Sequence, residues 1–286
     1  MTNGGPPLPP GWRIELAGRG TTFVREVAGP RGAPALILLH GLGANADLNW
    51  FTCFDALGRH FRVVAFDQRG HGRGIRVGNR FRMSDSADDA AALADALDIE
   101  RFIAVGYSMG GPVAQLTWHR HRDRVAGLVL CATSRDFGGS PRERMAYAVL
   151  PGISAAMRVA PYRVRRNLMG SAIANRLGDG PLARWAATEL GRNDPAAMMA
   201  AAAALGRFSS RDWIGEVDVP TAVVVTMRDS LVPPHRQRKL AAAIPGATVH
   251  PVDADHGACA AAPGRFVPAL VDACRSVASR AAFAPS

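Results

Sequence analysis

Gly106-Tyr107-Ser108-Met109-Gly110 lies between an apolar run, Arg101-Phe-Ile-Ala-Val105, and the stretch Gly111-Pro-Val-Ala-Gln-Leu-Thr-Trp118. The first flank reads as a buried strand and the second as a helix. Strand, tight turn and helix around G-x-S-x-G form the setting that a nucleophile elbow needs. The outer glycines admit a strained turn and close strand–helix packing. Such a turn lifts the Ser108 hydroxyl off the sheet and sets it at a helix N-terminus, where developing negative charge is favoured. The pentad alone also fits an ordinary glycine-rich turn. The rest of the chain must therefore supply a base, a carboxylate and an oxyanion hole in a workable order.

Upstream of the pentad, strands and helices alternate. Residues 1–11 form a Pro/Gly-rich lead, expected to be mobile. Residues 12–16 and 21–27 alternate apolar and polar around a Gly-Arg-Gly turn, which predicts an antiparallel hairpin at a sheet edge. Ala35-Leu-Ile-Leu-Leu39 is a continuous apolar run, as expected of a strand covered on both faces, and it ends in His40-Gly-Leu-Gly43. Residues 47–57 predict a short helix with Trp50, Phe51, Phe54 and Leu57 on one face. Arg62-Val-Val-Ala-Phe66 is the next strand and runs into Asp67-Gln-Arg-Gly-His-Gly-Arg-Gly74. A helix is expected over 84–97, with Ser84 as its N-cap.

Downstream, Gly127-Leu-Val-Leu-Cys131 is a further strand. Over 134–218 the strand–helix rhythm stops, and Ala-, Arg- and Met-rich helices broken by Gly and Pro are expected. Strand, helix, strand and helix resume at 221–226, 234–243, 247–252 and 266–279. The fold class is thus α/β, with a mostly parallel, doubly wound eight-stranded sheet. Its core is expected at 12–133 and 219–286. The helical cap expected at 134–218 would sit over the carboxyl ends of the strands, where such sheets place their sites.

The 286 residues carry a net charge of +10, which would ordinarily suggest nucleic acid or an anionic membrane. Yet Lys239 is the only lysine among the 34 basic residues, and the arginines are spread along the chain. This pattern resembles a coding bias more than a binding patch. No nucleic-acid reader motif is visible, so no nucleic-acid partner is expected. Weak attraction to an anionic surface stays open, and no integral membrane segment is expected. Cys53, Cys131, Cys259 and Cys274 have no metal-ligand spacing. Without a visible signal peptide, they fit a reduced, cytoplasmic setting.

Ser108 is a poor nucleophile until a base takes its proton. The best candidate base is His256, in the loop Asp255-His256-Gly257 after the last strand. His250 lies within that strand, His119 and His121 close a helix, and His60 and His235 read as surface positions. An imidazole base also needs a carboxylate to hold its tautomer. Asp229, in Thr226-Met-Arg-Asp-Ser-Leu-Val-Pro233, sits just past the preceding strand, and Asp136 is the alternative. Asp253 and Asp255 are too close to His256 in sequence to orient it easily. The backbone N–H groups of Leu42 and Met109 are the expected oxyanion donors.

Taken together, these stretches resemble the α/β-hydrolase superfamily. The resemblance is carried by His40-Gly41, Asp67-Gln-Arg-Gly-His-Gly72, Gly106-Tyr-Ser-Met-Gly-Gly111, Asp229 with its trailing Leu-Val-Pro, and Asp255-His256-Gly257. The motifs run in the family's order of serine, acid and histidine. The resemblance implies a capped serine hydrolase, carboxylesterase- or monoglyceride-lipase-like, acting through a Ser108 acyl-enzyme without metal or organic cofactor. Serine at 108 disfavours the dehalogenase and epoxide hydrolase branches, which use aspartate. Gly74 departs from the serine that many relatives carry, at a turn expected to be structural.

The expected partner is a small-molecule ester or acyl substrate, with a mild preference for an apolar acyl group. His40, Gly41, Trp50, Tyr107, Leu231 and Val232 are candidate substrate contacts. Met145, Met157, Met169, Met198, Met199, Trp185 and Phe208 would line an acyl pocket or form the cap's own core. A cofactor-free perhydrolase or a carbon–carbon bond hydrolase would use the same three residues. A non-catalytic small-ligand-binding relative is the reading from another class.

Overall fold

The computed structural model describes residues 5–78, 80–139, 141–159 and 180–281. Eight strands form one sheet in the order β1-β2-β4-β3-β5-β6-β7-β8. The strands are β1 (Gly11–Leu16), β2 (Gly20–Val27), β3 (Ala35–Leu39), β4 (Arg62–Phe66), β5 (Phe102–Tyr107), β6 (Val125–Cys131), β7 (Thr221–Thr226) and β8 (Thr248–Val252). The β1–β2 hairpin is antiparallel and joins β4 in antiparallel fashion. All remaining pairings are parallel.

Side chains alternate across a strand, so an apolar run fills two cores at once. Ile37 and Leu39 of β3 pack with Phe66, Leu93, Val113, Trp118 and Leu240 on one face. Leu36 and Leu38 pack with Trp50, Phe54, Val105, Phe266 and Leu270 on the other. Each such side chain, fully buried, contributes about 2 kcal/mol of transfer free energy. The helices supplying these faces are α1 (Ala46–Trp50), α2 (Phe54–Gly58), α3 (Met83–Ala96), α4 (Gly110–Arg120), α9 (Pro234–Ala243), α10 (Ala258–Ala261) and α11 (Pro263–Ala278). Between β6 and β7 lie α5 (Pro141–Ala148), α6 (Leu150–Val159), α7 (Pro181–Leu190) and α8 (Pro195–Gly206). No strand occurs among the described residues of this insertion.

The register aligns the carboxyl ends that matter. Leu39 of β3 pairs with Gly106 of β5, and Tyr107 pairs with Cys131 of β6. At the end of β7, Thr226 pairs with Val252 of β8. The loops after these strands therefore open at one edge. A third apolar cluster closes over that edge, joining Met109 and Val232 to Phe81, Met83, Phe137, Ala201, Leu205 and Phe208.

Three local expectations need correction. The helix expected over 47–57 is two short helices, because Asn45 caps α1 and the intervening turn is pulled aside by the Thr52 hydroxyl donating to the Cys259 carbonyl at 2.7 Å. Ser84 is not an N-cap; α3 starts at Met83, which is buried in the third cluster. Residues of the expected loose lead lie against the core: Leu8 packs on the second cluster, and the Pro9 carbonyl accepts from Arg25. Cys53, Cys131, Cys259 and Cys274 are all buried, unpaired thiols.

Candidate active site

Ser108 sits at φ +52°, a left-handed backbone that a non-glycine residue adopts only at some cost. The turn is held by the Ser108 N–H donating to the Cys131 carbonyl at 2.9 Å and by the Thr133 hydroxyl donating to the Ser108 carbonyl at 2.8 Å. The flanking glycines allow this closeness. A Cβ on Gly106 would stand 2.2 Å from the Gly110 carbonyl, and one on Gly110 would stand 2.0 Å from the Leu39 carbonyl. Chain crossing at this distance is why the pentad cannot carry side chains at its ends.

His256 lies between Ser108 and Asp229. Its Nε2 is 2.9 Å from the Ser108 Oγ, and its Nδ1 is 2.7 Å from the Asp229 Oδ2. Burial alone would push the Asp229 carboxyl up, but the His256 contact, the Val232 N–H and the Thr226 hydroxyl hold it below the usual carboxylate range. An ionised carboxylate only accepts, so the imidazole proton belongs on Nδ1 and Nε2 is left to accept from Ser108. The Asp229 oxygens are divided between tasks. Oδ1 accepts from the N–H groups of Leu231 and Val232, while Oδ2 accepts from Thr226 at 2.8 Å and faces His256. Gln237 braces this arrangement by donating to Thr226 Oγ1 and to the Val232 carbonyl. The His256 side chain is 20% exposed, whereas that of Asp229 is fully buried.

The rival carboxylates and histidines are engaged elsewhere. Asp136 pairs with Arg211 and Arg236. Asp253 pairs with Arg228 and Arg265. His119 stacks on Trp213, and His121 meets Asp88.

The loop after β3 stands against the serine: a Cβ on Gly41 would be 3.3 Å from the Ser108 Cβ. Its polar groups are tied down. The Gly41 N–H donates to Asn49, and the His40 carbonyl accepts from Gln68. His40 Nε2 accepts from the Gln68 N–H at 2.9 Å, so its proton lies on Nδ1 and is donated to the Gly41 carbonyl at 2.8 Å. Burial lowers the His40 pKa to about 4, keeping it neutral. By contrast, the N–H groups of Leu42 and Met109 have no acceptor among the described residues.

Several candidate substrate contacts have other roles. His40 is buried and occupied on both ring nitrogens. Trp50 is fully buried in the core, its ring edge-on to Tyr107. Tyr107 is buried as well, and its hydroxyl donates to the His256 carbonyl at 2.6 Å. Leu231 is 71% exposed on the outer surface, whereas Val232 faces the third apolar cluster with Met109. Of the candidate pocket residues in the insertion, Phe208 belongs to that cluster, Met145 is exposed, and Trp185 packs on Phe51. Met169 lies outside the described residues. Gly74 is accounted for: a Cβ there would stand 2.4 Å from the Asp67 carbonyl oxygen.

Asn49, Gln68, Thr226 and Gln237 escaped the sequence reading. Asn49, Gln68 and Thr226 each sit at or beside an apolar buried segment, whereas Gln237, within Pro234-His-Arg-Gln-Arg-Lys239, carried no such signal. Among the described residues, no cluster of His, Cys, Asp and Glu could hold a metal ion, and no helix is long and apolar enough to cross a membrane.

Residues 34–263 match the family described as the alpha/beta hydrolase fold. The chain is 31% identical to a putative carbamate hydrolase, RutD, of Agrobacterium fabrum over 74% of its own length and 82% of the relative's. Among solved structures, an esterase from Thermogutta terrifontis superposes with a TM-score of 0.73 at 26% identity, covering 93% of this chain and 99% of that one. An enol-lactonase from Burkholderia xenovorans superposes with a TM-score of 0.72 at 25% identity, covering 92% and 100%. With a family match over most of the chain and the sheet order described above, this protein belongs to the α/β-hydrolase family.

Proposed function

We propose that this hydrolase cleaves carboxylic esters through a Ser108–His256–Asp229 triad and a covalent acyl-enzyme. The observation that carries the reading is His256 spanning from the Ser108 Oγ at 2.9 Å to the Asp229 Oδ2 at 2.7 Å. His256 Nε2 takes the Ser108 proton as Oγ bonds to the ester carbon. The carbonyl oxygen gains the electron pair and is held by the Leu42 and Met109 N–H groups. Each donor contributes about 3–4 kcal/mol of transition-state stabilisation. As the tetrahedral species collapses, the carbon–oxygen bond to the alcohol breaks and His256 protonates the leaving alkoxide. Water then attacks the acyl-enzyme with His256 again as base, releasing the acid and restoring Ser108. Asp229 stabilises the imidazolium in both halves.

The apolar cluster formed by Met109, Phe137, Leu205, Phe208 and Val232, with Leu42 against it, supports an apolar acyl group. The names of the relatives, an esterase, an enol-lactonase and a carbamate hydrolase, support hydrolysis of an acyl bond. The test is turnover of short- and long-chain p-nitrophenyl esters by wild type and Ser108→Ala, together with labelling by a fluorophosphonate probe. Hydrolysis and labelling that both vanish in Ser108→Ala are expected. Turnover that survives the substitution would sink the mechanism, and a wild type with neither turnover nor labelling would leave a ligand-binding protein.

A further inference from the structure

We propose that Asn193, in the helical insertion, is a positioning residue that holds the loop after β3 in the form presenting the Leu42 N–H to substrate. The inference rests on the reading of that N–H as an oxyanion donor. Asn193 lies in the turn between α7 and α8 and is buried. Its Oδ1 accepts from the Gly72 N–H at 2.8 Å. That bond fixes the orientation of the amide, because an N–H must face the oxygen. The Nδ2 is thereby turned to the Gly43 carbonyl, to which it donates at 2.7 Å.

The Gly43 carbonyl belongs to the same rigid peptide plane as the Ala44 N–H. That N–H donates to the Gly41 carbonyl at 3.3 Å. The Gly41 carbonyl in turn shares its peptide plane with the Leu42 N–H. Asn193 thus grips one plane, and one hydrogen bond passes the constraint to the plane that carries the donor. The residue joining the two planes on the downstream side is Gly43, at φ +76° and without a side chain to resist rotation. An external clamp has most effect at such a position.

A second contact brackets the same segment. Glu189, at the end of α7, accepts from Asn45 Nδ2 at 2.9 Å, and Asn45 caps α1 through the Leu48 N–H. Glu189 also lies 3.9 Å from Arg73, which pairs with Asp47 and Asp67 beneath the loop. The insertion is therefore bolted to residues 43–45 as well as roofing the apolar cluster. Seating of the insertion thus adds to the hold that His40 and Asn49 place on Gly41 from the other side.

The test is Asn193→Asp, which is nearly isosteric, keeps the acceptor for Gly72 and removes the donor to Gly43. Asn193→Ser serves as a second variant should the carboxylate unfold the protein, with thermal melts identifying that case. For either folded variant, kcat on a p-nitrophenyl ester should fall about 10- to 100-fold with KM within about threefold, less than or similar to loss of one whole oxyanion donor. Affinity for an alkylboronic acid, which mimics the tetrahedral species, should fall in parallel, while affinity for the free carboxylic acid product should not. Amide exchange across residues 40–46 should quicken. A folded variant whose kcat and boronate affinity stay within twofold of wild type overturns the clamp while leaving the triad standing. A wild type that neither hydrolyses esters nor reacts with fluorophosphonate overturns the triad, and the clamp with it.

Discussion

The Tyr107 hydroxyl donates to the His256 backbone carbonyl at 2.6 Å, tying the residue before the serine to the histidine loop 149 positions away. Burial pushes the phenol well above its ordinary pKa, so it remains a donor at any working pH. The ring is wedged edge-on against Trp50 and Phe266. The Ser108 turn and the His256 loop are thus tied together by one buried side chain.

Tyr107→Phe keeps the wedge and removes the donor. The orphaned carbonyl should cost about 1–2 kcal/mol of stability. Turnover should fall several-fold with KM unchanged, because the His256 loop loses a tether and the substrate pocket does not. Steady-state kinetics and chemical denaturation measure the two effects separately; a pure KM change would return Tyr107 to the substrate-contact role first expected of it.

The proposed triad takes Asp229, 2.7 Å from His256 Nδ1, and leaves Asp136 to its arginine partners. Asp229→Asn should lower kcat by about 10⁴-fold, since an amide favours the wrong imidazole tautomer. Asp136→Asn removes a carboxylate paired with Arg211 and Arg236, so it should loosen the start of the insertion while kcat stays within a few-fold. Equal losses in both variants would contradict the assignment.

His256→Ala should lower kcat by about 10⁴-fold or more, because Ser108 then has no base to take its proton. Asp229, with its carboxyl held below the usual carboxylate range, stays ionised as pH falls and adds no acid limb of its own. Near-wild-type turnover in His256→Ala would remove His256 as the base.

Stability should fall over a defined acid window. His40 and His71 are buried, and burial lowers their pKa values to about 4 and about 3. Between these values and the ordinary histidine pKa of about 6.5, the unfolded chain binds protons that the folded protein refuses. The stabilisation is complete above about pH 6.5 and is lost as pH falls toward 4, by about 3 kcal/mol for His40 alone. Urea midpoints from pH 7 to pH 4 should decline in wild type and decline less in His40→Gln, whose absolute stability at pH 7 is also expected to be lower.

Arg73 holds a buried charge cluster with Asp47 and Asp67. It pairs with Asp47 at 2.8 Å and with Asp67 at 3.2 Å, and its guanidinium stacks 3.5 Å from the centre of the Phe23 ring. Arg73→Met should cost about 3 kcal/mol, because it strands buried carboxylates. A melting temperature within a degree or two of wild type would show the cluster to be better compensated by Arg25 than its geometry implies.

What the sequence determined by itself is whatever depends on local pattern. Continuous apolar runs such as Ala35–Leu39 and Thr221–Thr226 read as strands covered on both faces, and glycines at 106 and 110 read as a tight turn with close strand–helix packing. Serine, aspartate and histidine each followed a strand, so one sheet edge gathered them. Tertiary structure alone decided what each polar side chain does once there. Trp50, Tyr107 and His40 lie close to Ser108 in sequence or in loop order, yet they face the core: Trp50 packs there, Tyr107 tethers the His256 loop, and His40 braces the loop after β3. Asn193 had no local mark at all: its partners Gly43 and Gly72 lie 150 and 121 positions away. Periodicity reports which face of an element is buried, whereas a hydrogen bond between distant loops exists only after the sheet has fixed both ends in space.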